Sequence, residues 1–201
     1  MEKSNLKARL KFFKKFCAII VEVDLVCVLL EMSSWNSGKV VYLGIFTGIA
    51  IALHILEGSF SPLLPVPGAK VGLANIVTLF VFFIVGPRDA LLVLLLRILV
   101  GNLLGGTFLN VGFFLSVSGG LSSFLALCVL SKRMHSVAVL SVISAVVHNL
   151  VQLLVAFSYI ESRAIFLYLP LLVFSGVTFG FFCGYAGAFL ISVWRQRFAG
   201  N

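Results

Sequence analysis

Apolar runs close to the ~20 residues needed to cross a hydrocarbon layer recur along this chain, and nothing else about it constrains the fold as strongly. Inside lipid, only helices and closed barrels satisfy their own backbone hydrogen bonds. Stretches such as DALLVLLLRILVGNLL (89–104) and SVAVLSVISAVVHNLVQLLVAFSYI (136–160) lack the two-residue alternation of a barrel strand, so the spans are expected to be helices. Composition agrees: 61% of residues are hydrophobic and 11% charged, and mean hydropathy is +1.15. A soluble domain carries about 25% charged residues. The expected fold is therefore an all-α integral membrane bundle.

Six spans are expected, at about 40–57, 71–87, 89–106, 108–130, 136–160 and 165–194, the last long enough to tilt or overrun the bilayer. A further apolar segment, FCAIIVEVDLVCVLLEM (16–32), contains Glu22, Asp24 and Glu31 and follows the basic head KARLKFFKK. If it does not span, both termini lie on one side. Of the 15 Lys and Arg residues, only Lys70 and Arg163 then fall on the other side, with Arg97 inside the membrane. The positive-inside rule makes the basic side cytoplasmic. A seventh span would put either the basic head or every later basic loop outside, so 16–32 is expected to be an interfacial helix. A signal peptide is not expected, because acidic residues interrupt the apolar region and no small-residue cleavage site follows. The organisation is a basic segment 1–39, a six-helix membrane domain 40–194 and a cytoplasmic tail 195–201. The net charge of +8 thus reflects orientation in the bilayer, and nucleic acid is not an expected partner. Cys17, Cys27, Cys128 and Cys183 form no CxxC pair and all sit in apolar runs, which argues against disulfides or a zinc site.

Polar side chains at membrane depth are costly and mark either helix–helix hydrogen bonds or a lined cavity. Here they are Glu57, Asn75, Arg97, Asn102, His148, Asn149 and Gln152. At ~1.5 Å per residue and in the orientation above, all but Arg97 map to the outer half of the membrane. His148 and Gln152 are four apart on one helix face, with Asn149 beside them. The shared depth on four spans favours a ligand cavity over separate structural bonds. Arg97, near mid-depth, serves either as a buried structural strut or as the binder of an anionic ligand group. Glu57 is a candidate partner for Lys70 or Arg97. His54, His135 and His148 look scattered.

The stretch EGSFSPLLPVPGAKVGLAN (57–75) separates the first two spans. Pro62, Pro65 and Pro67 stiffen it and disfavour helix, while Gly68 and Gly72 permit turns and close packing. A rigid re-entering loop of this kind would present Lys70 and backbone groups to a ligand, non-helical backbone being tolerated at depth only where it lines protein or water. On the first span, Gly44, Gly48 and Ala52 form a small-xxx-small strip, either an internal packing seam or a docking face for a partner protein. Gly176, Gly180 and Gly184 repeat the spacing in the sixth span, where close internal packing is expected. No phosphate-binding loop, aspartate-rich diphosphate motif, HExxH or Ser/His/Asp arrangement occurs. No catalytic residue, metal or cofactor is expected, and any energy for transport has to come from a partner.

The run LGIFTGIAIALHILEGSFSPLLPVPGAKVGLANIVTLFVFFIVGPRDALLVLLLRILVGNLLGGTF, with SGGLSSFLALCVL, AVVHNLVQLLVA and YLPLLVFSG after it, resembles the Gx transporter family. Its members are small bacterial membrane proteins also labelled heptaprenyl diphosphate synthase component I, and they are similar to substrate-binding S components of energy-coupling factor importers. The likeness covers roughly 40–194, with PVPGAKVGLAN and VVHNLVQ its most specific motifs. It implies a six-helix S-component fold in the bacterial cytoplasmic membrane, with an outward-facing pocket for a small vitamin- or isoprenoid-related molecule beneath the loop 59–70. It also implies docking, through Gly44, Gly48 and Ala52, to a membrane scaffold subunit with two ATPases. The synthase label implies instead a non-catalytic partner of a prenyl transferase, since this chain lacks the carboxylates of prenyl elongation. On the capture reading the ligand-binding candidates are Glu57, Lys70, Asn75, Asn102, His148, Asn149 and Gln152, with Arg97 structural or anion-binding.

Overall fold

Glycine and proline set the helix boundaries. At Gly86 the backbone has φ 139°, a conformation open only to glycine, and Pro87 then occupies the first turn of a helix, where its missing N–H costs nothing. Gly106, at φ 69°, closes the same helix, with the Gly105 and Thr107 amides bonding back to the Gly101 and Asn102 carbonyls at 2.9 Å each. The computed structural model describes residues 37–60, 72–160 and 162–198. They form α1 (Ser37–Phe60), α2 (Leu73–Ile84), α3 (Pro87–Leu104), α4 (Val111–Leu130), α5 (Val137–Ile160), a 3-10 segment (Arg163–Tyr168) and α6 (Leu169–Phe198). No strand occurs among the described residues. The chain divides into two units, Met1–Val41 and Tyr42–Asn201. Of the first, only the opening turn of α1 is described. The expected interfacial helix at 16–32 lies outside the described residues, as do residues 61–71 with the three loop prolines, Gly68 and Lys70.

Four stretches are long and apolar enough to cross a membrane: Ser37–Gly58, Val111–Leu130, Val137–Ile160 and Arg163–Arg197. The two remaining helices stand where spans were expected but do not meet that standard. α2 has 12 residues, hence a length of roughly 18 Å. α3 has 18 residues and carries Arg88, Asp89 and Arg97. The apolar run 71–87 looked like a full span because Val85 and Gly86 keep it greasy while ending the helix.

Large apolar side chains face outward: Phe174, Phe182, Tyr185 and Leu104 are all about two-thirds exposed. Meanwhile His54, Glu57, Arg97, Asn102, His148, Asn149 and Gln152 are buried. A protein in water could not sustain that inversion, whereas a bilayer requires it. Glycines bring the helices together. A Cβ on Gly180 would lie 2.8 Å from Val142 Cα, and one on Gly184 would lie 2.7 Å from Ala138 Cα, so α6 rests directly on the α5 backbone along the expected strip. Gly120 of α4 accepts Ile98 of α3, and Gly187 of α6 accepts Leu79 of α2, in the same way. Phe46 on α1, Phe80 on α2 and Trp194 on α6 form an aromatic cluster with ring centroids 5.1–6.1 Å apart. By contrast, Gly44, Gly48 and Ala52 are exposed, and no described atom lies within 4 Å of a Cβ built on either glycine.

Candidate functional site

The first and second helices meet through a carboxylate. Glu57, near the end of α1, accepts the Ala74 amide of α2 at 3.4 Å. Gly72, which precedes α2 in a left-handed conformation, has no side chain with which to cap it. Glu57 therefore supplies negative charge where the α2 macrodipole is positive and its first amides lack partners. One turn earlier, His54 packs against α3 at Gly101, where a Cβ would come within 2.6 Å of His54 Cδ2. His54 Nε2 and Asn102 Nδ2 are 3.4 Å apart.

Arg97 reaches from α3 to α2, where its Nη2 donates to Asn75 Oδ1 at 2.9 Å. Its Nε has no hydrogen-bond partner among the described residues, although the side chain is only 4% exposed. Glu57 lies within electrostatic reach and offsets the charge. A buried guanidinium with a spare donor is costly and ready to take another acceptor.

α5 supplies the facing wall. His148 and Gln152 lean on Gly119 of α4, where a Cβ would be 2.8 Å from each side chain. Gln152 Nε2 donates to the Leu115 carbonyl at 3.1 Å. Asn149 Nδ2 turns the other way, to the Leu172 carbonyl of α6 at 2.9 Å, next to Gly176.

Between these groups lies a cavity of about 30 Å³, lined by His54, Glu57, Asn75, Arg97, Ser116, His148 and Asn149, with Gly72, Ile98, Ala145, Gly176 and Phe179 completing its walls. All six of the described α-helices contribute. Glu57, Asn75, Arg97, His148 and Asn149 are thus brought together. Asn102 and Gln152 stand behind this wall. The amide of Asn102 donates to the Ile98 carbonyl at 2.6 Å and its oxygen accepts Thr107 Oγ1 at 2.8 Å, so it fastens the end of α3 beside His54. Gln152 ties α5 to α4. His54 was missed because an isolated histidine in an apolar run usually packs in a core; its spacing of three from Glu57 was the available signal.

A second cavity of about 50 Å³ adjoins the first, sharing Gly72, Asn75 and Ala145. Besides Asn75, its polar lining is Thr78, Ser123, Ser141, Ser144 and Cys183, none of which stood out in the sequence. On the outer surface, Phe46, Ile49, Ile76, Val77, Phe80, Leu190, Val193 and Trp194 line an apolar groove of about 370 Å³ with Arg197 at its edge. Among the described residues, no three His, Cys, Asp or Glu side chains are grouped so as to hold a metal ion.

The family model described as heptaprenyl diphosphate synthase component I matches residues 46–190, a span that contains every residue lining both cavities. Comparison with curated proteins and with solved structures gave no match. With some seven-tenths of its length covered by that one model, this apolar helical chain, with its polar interior, belongs to the heptaprenyl diphosphate synthase component I family.

Proposed function

We propose that this protein is a non-catalytic membrane subunit that captures a small molecule from outside, in the manner of the S component of an energy-coupling factor importer. The observation that carries this reading is the convergence of His54, Glu57, Asn75, Arg97, His148 and Asn149 on one cavity inside a bundle whose exterior is apolar. Six helices positioned like the expected spans, with both termini cytoplasmic and an interfacial helix before them, belong to this reading. So do closure of the cavity by the loop 59–70 with Lys70, and docking of a scaffold subunit and its ATPases on the exposed strip Gly44, Gly48 and Ala52. Mass spectrometry of the protein purified in mild detergent tests it. The expected result is a stoichiometric small molecule that Arg97→Gln or Asn149→Ala releases. Recovery of the same molecule from both variants in wild-type amounts would count against capture at this cavity.

A second reading has its own support. The groove beside Trp194 is apolar along its walls and cationic at one end, which suits the chain and anionic head of a prenyl diphosphate, the class of product in the family's description. On this reading the protein is a membrane accessory of a soluble prenyl transferase. A stable complex with that enzyme, and longer products in its presence, are the expected results; unchanged chain length with and without the subunit rejects the idea.

A further inference from the structure

Most hydroxyl side chains in these helices follow one habit. Ser116, Ser122, Ser123, Ser158, Ser175 and Ser192 each donate to a backbone carbonyl three or four residues earlier, at 2.7–3.0 Å. In lipid such a bond is always within reach and satisfies the hydroxyl without any partner helix. Thr78 and Ser144 break the habit. Thr78 Oγ1 and Ser144 Oγ are both buried from solvent with no hydrogen-bond partner among the described residues, and both line the 50 Å³ chamber. Thr78 as a whole is only 6% exposed. A buried hydroxyl that forgoes its own helix backbone is held towards something else.

Its position says towards what. Thr78 is one turn beyond Asn75 on α2, and Ser144 is one turn before His148 on α5, so two of the helices that line the charged cavity carry the polar lining onward along the same faces. Ser123 and Ser141 add oxygen to the same chamber, and no charged side chain lines it. We propose that the chamber is a second subsite for the captured molecule, taking a neutral hydroxyl- or carbonyl-bearing part between Thr78 and Ser144 while an acidic end lies at Arg97 and Asn75. This rests on the capture reading and narrows it. The ligand is a compact polar acid and not a prenyl chain, which would leave both hydroxyls buried and unsatisfied. Each cavity exceeds the ~10–15 Å³ needed to admit one water-sized group.

The full-length protein in phosphatidylcholine nanodiscs is titrated with glycerate, glycerol, geraniol and geranyl diphosphate, and thermal unfolding is followed. Glycerate is expected to raise the unfolding temperature of the wild type, with half-saturation weakened roughly 10-fold or more in Thr78→Val/Ser144→Ala. Ser144→Ala alone, which deletes one oxygen, keeps the test usable should the double variant not fold, and a several-fold loss is expected there. Equal glycerate response in wild type and Ser144→Ala, or geraniol outcompeting glycerate, overturns the subsite. If geranyl diphosphate stabilises the protein through Arg97, with loss in Arg97→Gln but none in the hydroxyl variants, capture stands and the subsite falls. If no compound shifts the transition, both fall.

Discussion

Arg97 and Asn75 form the contact whose loss is easiest to interpret, because Arg97 is buried, Asn75 is half-buried and the bond joins two different helices. A hydrogen bond to a charged group contributes about 1.5–3 kcal/mol, and removing one partner also leaves the other unsatisfied. Asn75→Ala and Arg97→Met should therefore each destabilise the protein, and the double variant should be less unstable than the two effects summed. The expected coupling is about 1.5–3 kcal/mol in a double-mutant cycle followed by denaturation in detergent. Additive effects would mean that the 2.9 Å bond contributes nothing. Gln152 provides the contrast at this scale. Its bond to the Leu115 carbonyl joins α5 to α4 but leaves the cavity wall untouched. Gln152→Leu should cost about 0.5–1.5 kcal/mol of stability while a bound ligand is retained at wild-type affinity; a large affinity loss would bring Gln152 into the site.

Among the helices, α1 and α6 both carry glycine at four-residue spacing, and the structure assigns the two strips opposite surroundings. Gly180 presses on Val142 Cα, whereas Gly48 meets no described atom. Gly180→Val should force α6 off α5 and cost about 1–3 kcal/mol or more, read as lowered unfolding temperature and poor yield. Gly48→Val should fold with stability within about 0.5 kcal/mol of wild type; if instead it unfolds like Gly180→Val, the α1 strip is an internal seam. Spacing alone could not separate these cases, since small-xxx-small patterns mark close approach without naming the neighbour. The all-helical character was legible, and apolar runs marked the described helices to within a few residues at most ends, although only four stretches are long and apolar enough to cross a membrane. The shortness of α2 was harder to read, because Val85 is as apolar in the turn as it would be in a helix. Ionisable groups in greasy runs exposed Glu57, Arg97 and His148. Thr78 and Ser144 stayed hidden because serine and threonine commonly bond to their own helix, and only three-dimensional placement reveals these two buried hydroxyls that do not.

For the whole molecule, the decisive property is which way it faces. Arg133 lies in the turn before α5 and Arg163 follows its end, separated by a 24-residue helix roughly 36 Å long, enough to cross the bilayer. The proposed orientation, argued from the charge distribution, has Lys132 and Arg133 in the cytoplasm and Arg163 outside. In the same proposed orientation α1 runs outward, which puts Glu57 towards the Arg163 side. Replacing the four native cysteines with alanine and introducing Arg133→Cys or Arg163→Cys separately makes this measurable with a thiol reagent that cannot cross membranes. Cysteine 163 should be labelled in intact cells and cysteine 133 only after permeabilisation. The reverse pattern would turn the polar cavity towards the cytoplasm, where it could not capture an external molecule. It would leave the groove at Trp194 and Arg197 on the far side from any soluble prenyl transferase, so one topology experiment bears on both functional readings at once.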